Sequence, residues 1–212
     1  MKRLLKTTWV LAGLAVLAIL LLFMLLPWMD RWGATDDEIT ASFPGDELIP
    51  SPRLFYNRAV TVNAAPDEIY PWIVQLGAGK GGMYSYSWFE TYILQCELVN
   101  ADRIHEEWQD LKVGDQVRMC PGEFGPPPYK VAILELDHAI VLGHQENGEW
   151  LDVWQFILAP QADGATRLIL RSRDRKAGFI WDVIRPGEFI MSRGMLLGIK
   201  ERAENLAITS GQ

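Results

Sequence analysis

Side chains able to transfer protons or bind anions lie in three short stretches of the chain. Glu90 forms the first stretch. The second contains the neighbours Asp102 and Arg103, with His105 two positions after Arg103. Carboxylates and imidazoles act as general acids and bases, whereas guanidinium groups bind carboxylate or phosphate through paired hydrogen bonds. These residues form neither a Ser-His-acid group nor a close carboxylate pair on one element. The sequence therefore predicts no catalytic residue, and because no cysteine or histidine has metal-ligand spacing, it predicts no metal and no cofactor.

Two arginines form the third stretch. Arg171 and Arg173 share one face of a predicted strand, because alternate residues of a strand point the same way. If that face is the inner one, each guanidinium needs a carboxylate partner or an anionic ligand, since an unpaired buried charge is costly. If it is the outer face, both are solvated. For Glu90, Asp102 and Arg103 we favour a structural network over contact with the head group of an anionic ligand.

A dense group of aromatic residues precedes Glu90. Tyr84, Tyr86 and Trp88 alternate with serines and are followed by Phe89. Such a group most often packs in a core. It also suits the mouth of a ligand pocket, with the preceding glycine-rich turn acting as a movable lid.

Around these residues the sequence predicts a strand, two helices, five strands and a long helix. The first strand covers 57–63, a helix with proline and acidic residues in its first turn covers 65–76, and a short helix covers 85–94. Period-two patterns predict the remaining strands at 116–120, 129–136, 139–144, 151–158 and 166–172. Short turns between them indicate an antiparallel meander. The last helix begins near Pro186 and runs to about Ala207, and its apolar stripe has to cover the apolar face of the sheet.

This order of elements, and the run from Val60 through Pro66 to Trp72, resembles the START-like superfamily. That superfamily includes pollen-allergen-type proteins, lipid-transfer START domains and polyketide cyclase/dehydrase-like proteins, and the resemblance covers roughly residues 53 to 208. Five further segments are similar to a bacterial subgroup in which some members have membrane segments: 81–90, 100–104, 107–109, 113–115 and 196–200. The superfamily has no shared catalytic motif, so the resemblance carries over no catalytic residue.

The resemblance implies an α+β helix-grip fold, in which a bent antiparallel β-sheet wraps on a long C-terminal helix and two short helices follow the first strand. It also implies a hydrophobic pocket between the sheet and that helix. Methionines of the helix suit a pocket wall that adapts to different apolar ligands, although a core role is simpler. The candidate pocket residues are Tyr84, Tyr86, Trp88, Glu90, Arg103, Trp154, Arg171, Arg173, Met191 and Met195.

An apolar segment precedes this domain. Between Lys6 and Asp30 there are 23 residues without a charge, and 9–29 would span roughly 30 Å as a helix, enough to cross the hydrocarbon of a bilayer. A cleaved signal peptide is less favoured, because its apolar region is shorter and Trp32 stands where a small residue is needed for cleavage. The sequence therefore predicts an uncleaved transmembrane anchor at 1–29, an acidic proline-containing linker at 30–52 and the START-like domain at 53–209.

The charges on either side of the apolar segment predict its orientation. Three of the 20 basic residues precede it, so the N-terminus is expected in the cytoplasm and the domain on the outer side of the cell membrane. The rest of the chain has 17 basic against 27 acidic residues, a net charge near −10. Such a surface repels phosphate backbones, which argues against a nucleic-acid partner. Cys96 and Cys120 could pair in an oxidising compartment or remain separate buried thiols.

Three functions fit these features. The first is a membrane-anchored module that binds a hydrophobic or amphiphilic small molecule such as a lipid. The second is a cyclase/dehydrase-like enzyme that uses Glu90, Asp102, Arg103 or His105, which requires at least two of these side chains to converge in the pocket. The third is an accessory subunit of a membrane protein complex. We favour the binding module.

Overall fold

The computed structural model describes the backbone of residues 2–122 and 126–210, and their side chains except those of 2–8, 10, 12, 15, 16, 18–20, 209 and 210. Five α-helices and six strands are described over these ranges. The helices are α1 (Lys2–Asp30), α2 (Asp36–Thr40), α3 (Pro66–Val74), α4 (Ser87–Tyr92) and α5 (Phe179–Ser210). The strands are β1 (Leu54–Val62), β2 (Gln116–Val117), β3 (Tyr129–Glu135), β4 (Ala139–Glu146), β5 (Glu149–Pro160) and β6 (Thr166–Asp174).

The strands form one antiparallel sheet in the order β1-β6-β5-β4-β3-β2. Alternate residues face opposite sides: Leu168 and Leu170 of β6 point into the main core, whereas Ile169 belongs to a smaller cluster on the outer face. The inner face packs against α5 and α3. Glu68 caps the N-terminus of α3, because its carboxylate accepts a hydrogen bond from the Ala65 N–H at 2.8 Å. A six-stranded antiparallel sheet with a long C-terminal helix fits the predicted α+β helix-grip class.

The long helix α5 begins seven residues earlier than predicted. Pro186 does not open it but lies inside it, because Phe179 and the residues after it already form helical turns. Contacts with α1 stabilise these turns: the Phe179 ring stacks on Phe23 and Arg185 forms an ion pair with Asp30. Further along, Met195, Ile199 and Ala203 are fully buried in the core, as the predicted apolar stripe requires.

Residues 30–52, predicted as a linker, lie against the outer face of the sheet. They contain α2 and a 3₁₀ turn at Asp46–Leu48. Ile49 is only 1% exposed and packs with Val141 and Val153, which point outward from β4 and β5. We call residues 30–52 the strap, because they cover a second apolar surface that would otherwise face water.

The two cysteines form a disulfide, with their Cα atoms 5.2 Å apart. The bond joins the segment after α4 to the segment after β2 across 24 residues of sequence. The sequence left open whether the two cysteines pair or remain separate thiols, and in the structure they pair.

Among the described side chains of α1, those that pack on the domain lie between Phe23 and the C-terminal end of the helix. Leu26 and Met29 are buried against Phe189 of α5, whereas Trp9 and Met24 are about three-quarters exposed. The span predicted at 9–29 lies partly outside the described side chains. Within the part of the chain that is described, no helix combines the length and apolar character needed to cross a membrane.

Candidate functional site

A cavity of about 770 Å³ lies between the inner face of the sheet and the first half of α5. Its size is within the range of small-molecule sites, roughly 300–1,000 Å³. Strands β1, β3, β4, β5 and β6 all contribute to its wall. The main lining residues are Leu54, Tyr56, Tyr129, His144, Leu151, Asp152, Trp154, Ser172, Asp174, Trp181, Ile184, Arg185 and Glu188.

One cross-strand row builds the floor of the cavity. Tyr56 on β1 is directly opposite Ser172 on β6, and Ser172 is opposite Trp154 on β5. Residues directly opposite each other in an antiparallel pair share a face of the sheet. The row therefore presents two large aromatic groups with a small residue between them, which leaves room above the strands.

One wall of the cavity is aromatic and flat. The Tyr129 ring stacks on Trp154 with centroids 5.4 Å apart, and on its other side it meets the His144 ring at 4.0 Å. Trp181 and Ile184 of α5 line the cavity as well. Surfaces of this kind bind an acyl chain or a fused ring system through apolar contact rather than hydrogen bonds.

Tyr56 gives the cavity a buried polar group. The residue is only 3% exposed, and its hydroxyl makes no hydrogen bond of ordinary geometry with the described residues, although the Glu188 carboxylate and the Ser172 hydroxyl are close enough to act on its pKa. Burial, and next the nearby Glu188 carboxylate, raise the pKa of Tyr56 well above its ordinary value, so the hydroxyl stays protonated and can donate. A buried hydroxyl without a well-formed hydrogen bond is costly, and a ligand oxygen at this end of the cavity would remove that cost.

A histidine and a carboxylate lie at the rim of the cavity. His144 Nδ1 is 2.9 Å from an Asp152 carboxylate oxygen, and Nε2 is 2.8 Å from the Pro127 carbonyl oxygen. The Asp152 carboxylate and the Pro127 carbonyl both accept, so this arrangement favours the protonated imidazole, in which both ring nitrogens donate. Burial opposes the charge, but the hydrogen bonds to Asp152 and Pro127 outweigh it and raise the pKa of His144.

A buried arginine ties the inner end of the cavity to α1. Arg58 donates to both carboxylate oxygens of Glu188, at 2.7 and 2.9 Å, and to the backbone carbonyl of Met29 at 2.8 Å. Its guanidinium also lies 4.0 Å from the centre of the Tyr56 ring. The end of α1, strand β1 and helix α5 are therefore joined beside the site.

One of the ten residues predicted to line the pocket, Trp154, lines the 770 Å³ cavity. Arg171 and Arg173 lie on the opposite face of the sheet, under the strap. Arg171 forms a 2.7 Å ion pair with Asp46 and Arg173 donates to the Ile49 carbonyl at 2.8 Å. Both arginines are therefore on the outer face, where the sequence predicted that they would be solvated. That prediction was wrong, because the strap buries this face and supplies Asp46 as the carboxylate partner of both guanidinium groups.

The predicted aromatic group lies beside the second half of α5. Tyr84 is in the core, where it accepts a 2.9 Å hydrogen bond from Gln75, and burial raises its pKa to about 12. Tyr86 accepts from Arg193 at 2.7 Å, and Trp88 stacks on it while remaining largely exposed. None of these three rings lines the 770 Å³ cavity.

The remaining predicted residues are also outside that cavity. Glu90 is buried and accepts a 3.2 Å hydrogen bond from Asn100, and burial raises its pKa. Arg103 lines a second cavity of about 430 Å³, next to Asp102 and Trp72. Met195 is fully buried in the core, and Met191 packs on that core without reaching the cavity.

The convergence required for the enzyme hypothesis is not present in the larger cavity. Glu90, Asp102, Arg103 and His105 do not line it. His144 and Asp152 do, but both ring nitrogens of His144 already donate, so the ring has no free lone pair to accept a substrate proton. Among the described residues, no cluster of three His, Cys, Asp or Glu side chains could hold a metal ion.

No family model and no curated protein matches the chain. Solved structures of similar fold include a Polyketide_cyc-like protein from Corynebacterium glutamicum, with 18% identity, a TM-score of 0.37, and 77% of this chain and 94% of that chain covered. A norcoclaurine synthase from Thalictrum flavum has 17% identity and a TM-score of 0.41 over 75% of this chain and 96% of that chain. A protein from Chromobacterium violaceum has 14% identity and a TM-score of 0.42, with 72% and 99% covered. These neighbours include the polyketide cyclase-like kind that the sequence resembles, and at such identities the similarity concerns the fold alone.

Proposed function

We propose that this protein binds an amphiphilic small molecule in the 770 Å³ cavity and does so as a non-catalytic module anchored to a membrane by α1. The observation that carries the binding proposal is the composition of the cavity. An aromatic and aliphatic wall leads to the buried Tyr56 hydroxyl, which makes no well-formed hydrogen bond within the described part of the chain. An apolar ligand with one accepting oxygen satisfies both features.

The polar residues of the cavity narrow the class of ligand. Tyr56 offers a neutral donor, and the Glu188 carboxylate beside it is already paired with Arg58. A deep anionic group would meet Glu188, which lines the cavity beside Tyr56. The inner end therefore suits a neutral ester, ketone or alcohol oxygen, and a charged head group belongs at the exposed rim.

Anchoring is supported by the sequence and by the exposure of α1. The 23-residue stretch without a charge is long enough for a bilayer core, and large apolar side chains are exposed along it at Trp9, Leu14, Leu21 and Met24. In water this would be a costly surface, whereas in lipid it is the expected one.

An outward-facing domain is supported by two features. Basic residues precede the apolar segment, which favours a cytoplasmic N-terminus. The Cys96–Cys120 disulfide suits an oxidising compartment, because reducing systems in the cytosol keep most thiols free.

Native mass spectrometry of the full chain, purified from membranes in a mild detergent, tests this function. We expect the protein to carry a small molecule at close to one per chain. Ser172→Phe places a ring in the middle of the cavity floor and should abolish that mass, while Ser51→Phe, the same change at an exposed position of the strap, should keep it. An empty wild-type protein, or equal occupancy in both variants, would refute binding in this cavity. An empty domain that arrives with other subunits would instead indicate an accessory role in a complex.

A further inference from the structure

We propose that the first two turns of α5 lie in the domain-side leaflet of the bilayer next to α1, so that the cavity opens toward lipid and takes its ligand from the membrane. This inference rests on the proposed anchoring by α1. It adds a second membrane-contact surface and names the source of the ligand.

The start of α5 has an apolar surface that the rest of the domain leaves uncovered. Phe179 and Ile180 are 75% and 65% exposed, and Val183 and Ile184 are nearly half exposed. Four large apolar side chains within six positions form a continuous patch on the first two turns of the helix. Isolated exposed apolar residues are ordinary, but a continuous patch of this kind marks a contact surface.

The depth of this patch follows from its contacts with α1. Phe179 stacks on Phe23 with ring centroids 6.3 Å apart, and Arg185 pairs with Asp30. Phe23 lies seven residues before Asp30, which at 1.5 Å per residue is about 10 Å further into the apolar segment. If residues 9–29 of α1 cross the bilayer, the start of α5 is level with Phe23 and therefore below the head groups.

The exposure pattern of α1 identifies lipid rather than a partner protein as the occupant. The exposed apolar residues cover more than half of the helix circumference at 100° per residue, which is wider than a single stripe. They are Trp9, Leu11, Leu14, Leu17, Leu21, Leu22, Met24, Leu25 and Trp28. A protein groove covers one face of a helix, whereas a bilayer covers every face. The patch on α5 is continuous with this surface, so the same occupant is expected to cover both.

Charged residues just before the patch agree with this placement. Lys176 is exposed three positions before α5, and the neighbouring Arg175 pairs with Glu149 at 3.3 Å. Asp182, the acidic residue within the first two turns, is paired with Arg185 at 2.8 Å. Basic side chains with long aliphatic stems keep their charge among lipid phosphates while the stem lies along apolar surface.

The cavity and the patch share residues. Trp181 and Ile184 line the cavity and belong to the same two helical turns as Phe179 and Ile180. With those turns in the leaflet, an acyl chain can move from the bilayer into the cavity without crossing water, while its head group stays at the interface. The expected ligand is therefore a membrane lipid.

Spin labels at three single cysteines measure this depth in the full-length protein reconstituted in phospholipid nanodiscs. The variants are Ile180→Cys on the patch, Met24→Cys on α1 and Leu136→Cys on the β3–β4 turn, all at exposed positions. Because both native cysteines form the disulfide, the added residue is the single free thiol, which peptide mapping without reductant verifies. We expect the labels at 24 and 180 to collide with oxygen more than with a water-soluble nickel chelate, and the label at 136 to do the reverse.

The possible results are distinct. A label at 180 that behaves like the one at 136, while the label at 24 is in lipid, would overturn this inference and leave the anchor intact. Labels in water at both 24 and 180 would refute the anchoring itself. A label at 180 that is shielded from both reagents would mark a protein partner and would also overturn the inference.

The source of the ligand is tested in vesicles of deuterated phosphatidylcholine. We expect the wild-type protein and Leu136→Asp to acquire the deuterated lipid, measured as the mass that native mass spectrometry finds on the protein. Ile180→Asp should load at least several-fold more slowly. Equal loading of the two variants would contradict entry from the leaflet.

Discussion

The imidazole of His144 is held between two acceptors, and this makes its charge part of the structure. Asp152 and the Pro127 carbonyl each need a donor, and the neutral ring has one N–H to give. Loss of the proton therefore breaks one of the two hydrogen bonds at the rim of the cavity.

The stability of the protein should therefore depend on this histidine in a pH-dependent way. Because the pKa of His144 is raised in the folded state, its stabilising contribution is complete below the ordinary histidine pKa and is lost as pH rises through the folded value. Urea unfolding at mildly acidic pH should show His144→Gln about 1.5–3 kcal/mol less stable than wild type, with a smaller difference at pH above the folded pKa. His138→Gln, at an exposed turn position, serves as the control and should show a small difference at both pH values. A difference for His144→Gln that grows with pH would contradict this assignment.

Substitutions at Tyr56 and Tyr84 distinguish a hydroxyl that binds the ligand from one that stabilises the core. Tyr56→Phe removes a hydroxyl that makes no well-formed hydrogen bond with the described residues, so we expect unchanged or slightly higher stability and a weaker complex, by about 0.5–1.5 kcal/mol or several-fold in Kd. Tyr84→Phe breaks the hydrogen bond from Gln75 in the core, so it should lower the free energy of unfolding by about 1 kcal/mol and leave binding unchanged. Thermal unfolding and titration with the ligand recovered from the protein measure both quantities. Identical behaviour of the two variants would contradict a role for Tyr56 in the site.

At the scale of elements, the strap makes the outer face of the sheet a second buried layer. Asn57, Arg171 and Gln155 form a polar row across three strands, and all three are completely or almost completely buried. Arg171 donates to the Asp46 carboxylate and to the carbonyls of Glu38 and Ala41. One guanidinium thus satisfies several polar groups of a segment that has little regular structure of its own.

Arg171 should accordingly stabilise the fold without contributing to ligand binding. Arg171→Met removes one of the two ion pairs of Asp46, and because Arg173 still pairs with this carboxylate at 3.2 Å we expect a cost at the low end of the about 3–5 kcal/mol typical of a broken buried pair. Arg175→Met removes an exposed pair with Glu149 and should cost less than about 1 kcal/mol. Urea unfolding measures the difference, and limited proteolysis should cut the strap faster in Arg171→Met. Loss of ligand from Arg171→Met under conditions where it remains folded would indicate that the arginine acts on the cavity.

The alternation of side chains along β6 could be predicted from the sequence, but which of its two faces points into the main core could not. Leu168 and Leu170 share one face, while Ile169 shares the other with Arg171, so both faces contain apolar residues. The structure resolves this because the strap buries the outer face as well. The order and type of the elements in the domain follow from local periodicity, whereas this distinction depends on a segment more than 100 residues away in sequence.

The floor and rim of the cavity depend on strand register, which local pattern does not supply. A two-residue turn at Asn147-Gly148 would place His144 opposite Leu151, but a β-bulge between His144 and Gln145 shifts the register by one and brings Asp152 opposite it. The Tyr56–Ser172–Trp154 row joins strands from both ends of the domain sequence. Trp154 could be chosen from its aromatic character alone. Tyr56 and Ser172 were missed, because their place beside it depends on the pairing of distant strands.

For the whole molecule, the main structural feature is the junction between α1 and the domain. Arg58, Glu188, Asp30 and Arg185 form a network of ion pairs beside the cavity, where α1 enters the fold. Buried networks of this kind fix the relative orientation of the elements they join. We expect α1 to hold the cavity in a defined position relative to the bilayer, because the connection is not a flexible tether.

The account depends most on the claim that a lipid occupies the cavity under α5. The most direct measurement is photocrosslinking of the full-length protein in nanodiscs that contain a phospholipid with a diazirine near the end of one acyl chain, followed by peptide mapping. We predict adducts on inner-face peptides that contain Tyr129, Trp154 and Trp181, and their loss in Ser172→Phe. Adducts confined to α1, with none on the cavity-lining peptides, would show that lipid surrounds the anchor without entering the domain and would contradict the proposed function.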